Sequence, residues 1–154
     1  MSSGRVKNTN PFLILKYPGF SFILNGAFIK EVMIDAPVIS IPNLRFPFSC
    51  ITVRDKRVFP VIGLDECISA RDRDFFPFYL FITTAKCGFC INTSRMPVMF
   101  YDYFRIEKTH TLKCFDLYKK DEESYIDIIP DELYTATQDN FARLLKAVDG
   151  GTGI

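Results

Sequence analysis

The sequence predicts a mostly β domain, built as two small β-barrel units and closed by a C-terminal helix. Three observations lead there. Sixteen Phe and seven Tyr stand beside no Trp, and flat rings pack well on pleated surfaces. Apolar runs of strand length alternate with turn residues along most of the chain. Finally, the run from Phe12 to Asn25 aligns without a gap on the run from Tyr79 to Asn92, 67 positions on (12 to 79, 25 to 92). In that overlay Leu13/Leu80, Phe22/Phe89 and Asn25/Asn92 are identical. Short strands in two groups favour small barrels, which remove exposed sheet edges. A chain of 154 residues is long enough for one domain, or for two very small units sharing a core.

In order along the chain, Met1 to Asn10 is polar and reads as a tail. Phe12–Leu15 and Phe20–Leu24 are strands joined through Tyr17-Pro-Gly19, where Pro fixes φ and Gly permits the left-handed region. From Ala27 to Ile34 the spacing of Phe28, Ile29 and Val32 predicts one or two helical turns. Pro37, Pro42 and Pro47 then keep the chain extended or looped. Phe48–Val53 and Val58–Ile62 are strands around the charged tip Arg54-Asp-Lys-Arg57, and Leu64–Ile68 forms a short turn of helix. Ser69–Asp74, with its Arg71-Asp-Arg-Asp74 run, is the internal boundary.

Beyond it, Tyr79–Thr83, Phe89–Asn92, Val98–Phe104, Leu112–Tyr118 and Tyr125–Ile129 read as strands, with Lys119–Ser124 as a polar turn. Thr135-Ala-Thr-Gln138 has the form of a capping box. Phe141, Leu144, Leu145 and Val148 share one face of the helix that follows. The expected organisation is a tail at 1–10, a first unit at about 11–70, a second at about 71–149, and a tail at 150–154.

A formal charge of +1 gives no electrostatic pull toward nucleic acid or a lipid surface. The apolar run after the tail is too short for a signal peptide, and Pro77 interrupts the longest apolar stretch, Phe75–Ile82, so no membrane insertion is expected. Five Cys, an odd number, fit reduced thiols in a cytoplasm.

Catalytic constellations are sparse. Cys87 and Cys90 have the C-x-x-C spacing of a redox pair, but they sit at a turn entering a strand, without the helix N-terminus that lowers a thiol pKa. Cys87, Cys90, His110 and Cys114 are formally acceptable zinc ligands. Thr109–Leu117 reads as strand, where alternate side chains diverge, so no metal is expected, and a zinc-stabilised interaction domain is kept as an alternative. The lone His110 has no nucleophile elbow beside it, and no glycine-rich phosphate loop follows a strand. No enzyme activity and no cofactor are expected. A small aromatic barrel could stack single-stranded nucleic acid, the other alternative, but the chain has no basic stripe to support it.

At its central hairpin, Ile51-Thr-Val-Arg-Asp-Lys-Arg-Val-Phe-Pro-Val-Ile-Gly-Leu64 resembles the I-N-L-R-G-x-x-φ-P-V-I-D-L signature (φ apolar) of the CheW adaptor family of bacterial chemotaxis. Phe28-Ile-Lys-Glu-Val32 is similar to that family's V-x-E-I, and Gly88-Phe-Cys-Ile-Asn92 with Val98-Met-Phe100 to its G-φ-φ-V-D…V-L. Tyr125-Ile-Asp-Ile-Ile129, Leu133 and the terminal helix resemble its end. Thr52, Asp55, Gly63, Asn92 and Ser49 depart from its Asn, Gly, Asp, Asp and Gly. The resemblance spans about Phe12 to Val148. It implies two five-stranded β-barrel subdomains and a non-catalytic scaffold that couples methyl-accepting chemoreceptors to a CheA-type histidine kinase. It further implies that the first subdomain's hairpin docks on the kinase and that receptor tips bind between subdomains.

Candidate partner-binding residues are therefore Arg54, whose planar guanidinium suits a partner's carboxylates or carbonyls, Glu31, and the hairpin residues Asp55, Lys56, Arg57 and Phe59. Strand alternation is expected to send Val53 and Val61 inward and to leave Phe59 outside as an anchor.

Overall fold

The computed structural model describes residues 11–69, 76–100, 107–120 and 122–149. Among these residues twelve strands and three α-helices follow one another: β1 (Phe12–Tyr17), β2 (Phe20–Asn25), β3 (Ile29–Ile34), β4 (Val38–Ile39), β5 (Phe48–Arg54), β6 (Arg57–Gly63), α1 (Leu64–Ser69), β7 (Phe78–Thr83), β8 (Gly88–Thr93), β9 (Val98–Phe100), β10 (Glu107–Thr111), β11 (Phe115–Lys120), β12 (Glu123–Ile128), α2 (Pro130–Leu133) and α3 (Gln138–Asp149). The expected tails at 1–10 and 150–154, most of the 69–74 connector and the end of the expected Val98–Phe104 strand lie outside the described residues.

The helix expected over 27–34 is a strand. Only Gly26–Phe28 turns, as a single 3₁₀ turn whose Ala27 amide donates to the Asn25 side chain. After it Ile29, Val32 and Ile34 join an antiparallel ladder with β7, and these β-branched side chains suit a strand better than a helix. The expected Leu112–Tyr118 strand is divided by a corner in which the Leu112 amide donates to the Phe115 carbonyl, separating β10 from β11. The capping box sits two residues later than expected. The Asn140 amide donates to Thr137 Oγ1, and the Thr137 amide donates to Asn140 Oδ1, so Thr137 and Asn140 cap α3 reciprocally.

The strands form two six-stranded sheets, ordered β9-β1-β2-β12-β11-β10 and β3-β7-β8-β6-β5-β4. The β2/β12 and β6/β8 pairs are parallel; the other neighbours run antiparallel. Six strands stand where five were expected, and among the described residues no strand pairing closes either sheet into a barrel. Advancing each strand of the first sheet by six in chain order reproduces the second, so the fold is an internal duplication.

The register follows suit. Phe12 faces Asn25 as Tyr79 faces Asn92, and the offset of 67 carries on to β3 and β9, where Val32 faces Leu80 as Met99 faces Leu13 (32 to 99). In the later strands it becomes 66: the Arg54/Arg57 hairpin end matches Lys120/Glu123 (54 to 120, 57 to 123). The sheets do not follow the expected chain halves, about 11–70 and 71–149. Each takes a hairpin from one half and four strands from the other, because the parallel pairs join strands across the boundary.

The main core lies between the sheets and under α3. It includes Leu15, Phe22 and Phe115 from the first sheet, Ile62, Leu80 and Phe89 from the second, and Phe141 and Leu144 from α3. A smaller core occupies the other face of the second sheet, around Cys50, Phe59, Val61, Tyr79, Phe81 and Cys90. A polar node ties the sheets together. Tyr17 Oη at the end of β1 donates to Asp65 Oδ1 of α1 (2.9 Å) and lies 2.6 Å from Thr93 Oγ1 of β8. The Ser94 amide and hydroxyl both donate to Asp65. Burial pushes the Tyr17 phenol well above its ordinary range, which keeps it a donor at every physiological pH.

The outer face of the first sheet is more polar. Asp116 and Asp127 are cross-strand partners, and Lys108 Nζ lies 3.6 Å from Asp116 Oδ2. Burial, and then the Asp116 charge, push the Asp127 carboxyl up to about 6. An acid held above its unfolded value supplies stability below about pH 4 that is lost as pH rises to about 6. Asp127→Asn is therefore expected to stabilise the protein at pH 7 by about 1–2 kcal/mol, after allowance for partial solvent access. Denaturant titrations of both proteins should show that gain vanishing near pH 4.

Candidate functional site

The β5–β6 hairpin ends in a run of exposed residues, Asp55 to Val58. Its two-residue tip, Asp55 and Lys56, has φ of 53° and 64°, the pattern of a type I′ turn, whose twist suits the flanking strands. A short polar Asp tolerates that region, whereas Lys is strained there. Lys56→Gly is accordingly expected to leave the register intact and to stabilise by about 0.5–1 kcal/mol, since relieved strain exceeds the added freedom of the unfolded chain. A denaturant midpoint shifted upward would register it.

Two sequence-predicted residues meet. Arg54 Nε donates to Glu31 Oε1 at 2.9 Å and Nη2 to Oε2 at 2.5 Å. This fork-to-fork pair engages the Nε/Nη2 edge of the guanidinium within the chain and holds the Glu31 carboxyl below its ordinary range. It also spans from β3, one edge of the sheet, to β5 beside the other edge, so the sheet is curled around its small core. Duplication does not reproduce the pair, because the equivalents of Glu31 and Arg54 are Val98 and Lys120. Beside it lies a cavity of about 150 Å³ lined by Lys30, Asp55 and Arg57, with Phe59 and Phe81 also in its wall.

The expected anchor is corrected. Phe59 is only 3% exposed: it packs edge-on against Phe81 at 5.2 Å and carries the Arg57 guanidinium 5.2 Å from its ring centroid. Val53 was expected to point inward with Val61, yet Val53 is 44% and Val58 61% exposed. The reason is register. With a two-residue tip, Arg54 faces Arg57, Val53 faces Val58, and Thr52 faces Phe59, so Phe59 and Val61 share the inner face while Val53 lies on the opposite one. Ile39, opposite Ile51 on the same outer face, is also exposed. The hairpin thus presents an apolar strip of Ile39, Val53 and Val58 behind a charged tip.

A second apolar surface includes just one of the residues singled out from the sequence, Glu31. Between the β3 edge of one sheet and the β9 edge of the other runs a groove of about 420 Å³, whose walls include Leu13, Ile29, Val32, Phe78, Met96 and Met99. Lys30 and Glu31 line it too, joining it to the charged cavity. Its two edge strands are repeat equivalents, and the offset of 67 that pairs Val32 with Met99 is present in the sequence. The overlay of the first two strands stops short of it.

The four candidate zinc ligands are not brought together. Cys90 lies in the small core, and Cys114 is buried at the main core with its thiol on the Glu132 carbonyl. His110 is exposed on β10. Cys87 sits at the β7–β8 turn, its thiol donating to Asp131 at 3.4 Å, where burial raises its pKa. Among the described residues no group of three or more His, Cys, Asp or Glu side chains is placed to hold a metal ion, and no helix is long and apolar enough to cross a membrane.

Two interleaved six-stranded sheets with a covering C-terminal helix make up a CheW-like fold. The chain is similar to the crystal structure of the scaffolding protein TtCheW from Thermoanaerobacter tengcongensis, with a TM-score of 0.61 over 78% of this chain and 88% of that one, at 16% identity. No family model and no curated protein matches the chain by sequence.

Proposed function

We propose that this protein is a non-catalytic chemotaxis scaffold that holds chemoreceptors and a CheA-type histidine kinase in one complex. In this reading the kinase docks on the β5–β6 hairpin and the receptor tip occupies the groove between β3 and β9. Its site of action is the cytoplasm, where both partners present their signalling regions. The observation that carries the proposal is the asymmetry of the duplicated hairpins. The first exposes the facing pair Val53 and Val58; the equivalent pair in the second is Lys119 and Ser124. A duplication that keeps its fold but leaves one hairpin with an exposed apolar pair behind its charged tip has acquired a directional docking face.

Reconstitution tests this. The purified protein, a soluble chemoreceptor signalling fragment and a CheA-type kinase should form a complex in sedimentation, with each partner also binding the protein alone. Failure of both partners to bind would refute the proposal.

A further inference from the structure

We propose that the groove is a peroxide-sensitive docking site, weakened when Met96 and Met99 are oxidised to methionine sulfoxide; this rests on the receptor-docking reading above. Two of the four methionines of the chain line this groove, and they are 66% and 54% exposed. Met33 is half-buried against the small core. Sulfur at the rim of an apolar groove suits an adaptable partner, and it is also the part of the wall a small oxidant reaches first.

The cysteines do not intercept the oxidant efficiently. Cys50, Cys90 and Cys114 are buried. Burial pushes the Cys67 thiol up to about 12 and raises that of Cys87, so the nucleophilic thiolate is scarce. Hydrogen peroxide therefore meets exposed thioethers before reactive thiolates. In the reaction one peroxide oxygen is transferred to the sulfur lone pair. The S–O bond forms as the O–O bond breaks, the sulfur is oxidised by two electrons, and the peroxide is reduced to water.

The product carries a strongly polar oxygen where the unmodified side chain presented apolar surface to the groove and any occupant. A partner seating there must bury that oxygen without a donor or leave water beneath it, and either weakens binding. Methionine sulfoxide reductases return the thioether, so the change is reversible.

The test compares the full-length protein before and after hydrogen peroxide. Peptide masses should show one oxygen added at Met96 and at Met99 well ahead of Met33. Affinity for a soluble chemoreceptor signalling fragment should fall about tenfold, the equivalent of about 1.4 kcal/mol, and return after treatment with the reductases. Kinase affinity, read at the hairpin, should not move. In M96L/M99L, whatever its starting affinity, treated and untreated samples should bind alike. Unchanged receptor affinity with both methionines oxidised would overturn the inference while leaving the receptor reading intact, as would a loss that persists in M96L/M99L. If the unoxidised protein itself fails to bind the fragment, the receptor reading falls and the inference with it.

Discussion

Replacing Phe141 by Ala is expected to cost about 3–5 kcal/mol. Its ring is buried, 5.3 Å from Phe115 of β11 and 5.8 Å from Phe46 in the segment before β5. One side chain of α3 thus touches a strand of the first sheet and the loop that leads into β5 of the second. Removing it opens a cavity between them, and a native domain has only about 5–15 kcal/mol to lose. The melting temperature should fall by about 6–20 °C, at about 2–4 °C per kcal/mol for a chain of this size. Because the halves are interleaved, the loss should appear as one cooperative transition shifted downward. A scanning-calorimetry trace with two separate transitions, only one of them displaced, would show that α3 serves one sheet alone. The half-buried Leu145 on the same helix is the control, with a smaller shift expected from L145A.

How much of the fold and of the candidate site is legible in the sequence depends on the range of the interaction that decides each part. The β1–β2, β5–β6 and β7–β8 hairpins can be read within a residue or two of their ends, because alternation and turn chemistry are local signals. The helical spacing at 28–32 misleads, because the ladder that makes β3 a strand comes from β7, about fifty residues downstream, and a tertiary partner overrides local propensity. The swapped assignment of strands to sheets is invisible for the same reason: nothing local states that β2 pairs with β12. Glu31 and Arg54 both stand out in the sequence, but as separate contacts for a partner. Their mutual pairing needs the curl of the sheet. Phe59 is misplaced by one register step, which moves a side chain from one face to the other.

That register step decides the last prediction. Kinase affinity is expected to fall by about 2 kcal/mol or more, about thirtyfold, on Val58→Glu, and by less on Arg54→Ala. Val58 faces Val53 on the exposed side of the hairpin, so a partner covering this strip would desolvate the new carboxylate without supplying it a cation. The effect comes from that buried charge more than from lost valine contacts, since a single valine is a modest anchor; Val58→Ala should be correspondingly mild. The fold should be almost indifferent to Val58→Glu, because the site is open to water and strand preference there is worth at most about 1 kcal/mol. Arg54→Ala acts differently. It breaks the pair with Glu31 and loosens the curl, and because the Nε/Nη2 edge of the guanidinium is already committed to Glu31, a partner meets the Nη1 side rather than the whole fork. Neutralising the carboxylate left behind, with Glu31→Gln in the Arg54→Ala background, should recover no more than that small loss. Dissociation constants for V58E, V58A and R54A, each accompanied by a melting temperature, separate these contributions. Equal kinase affinity for V58E and the unaltered protein, with the fold intact, would remove the hairpin strip from the interface.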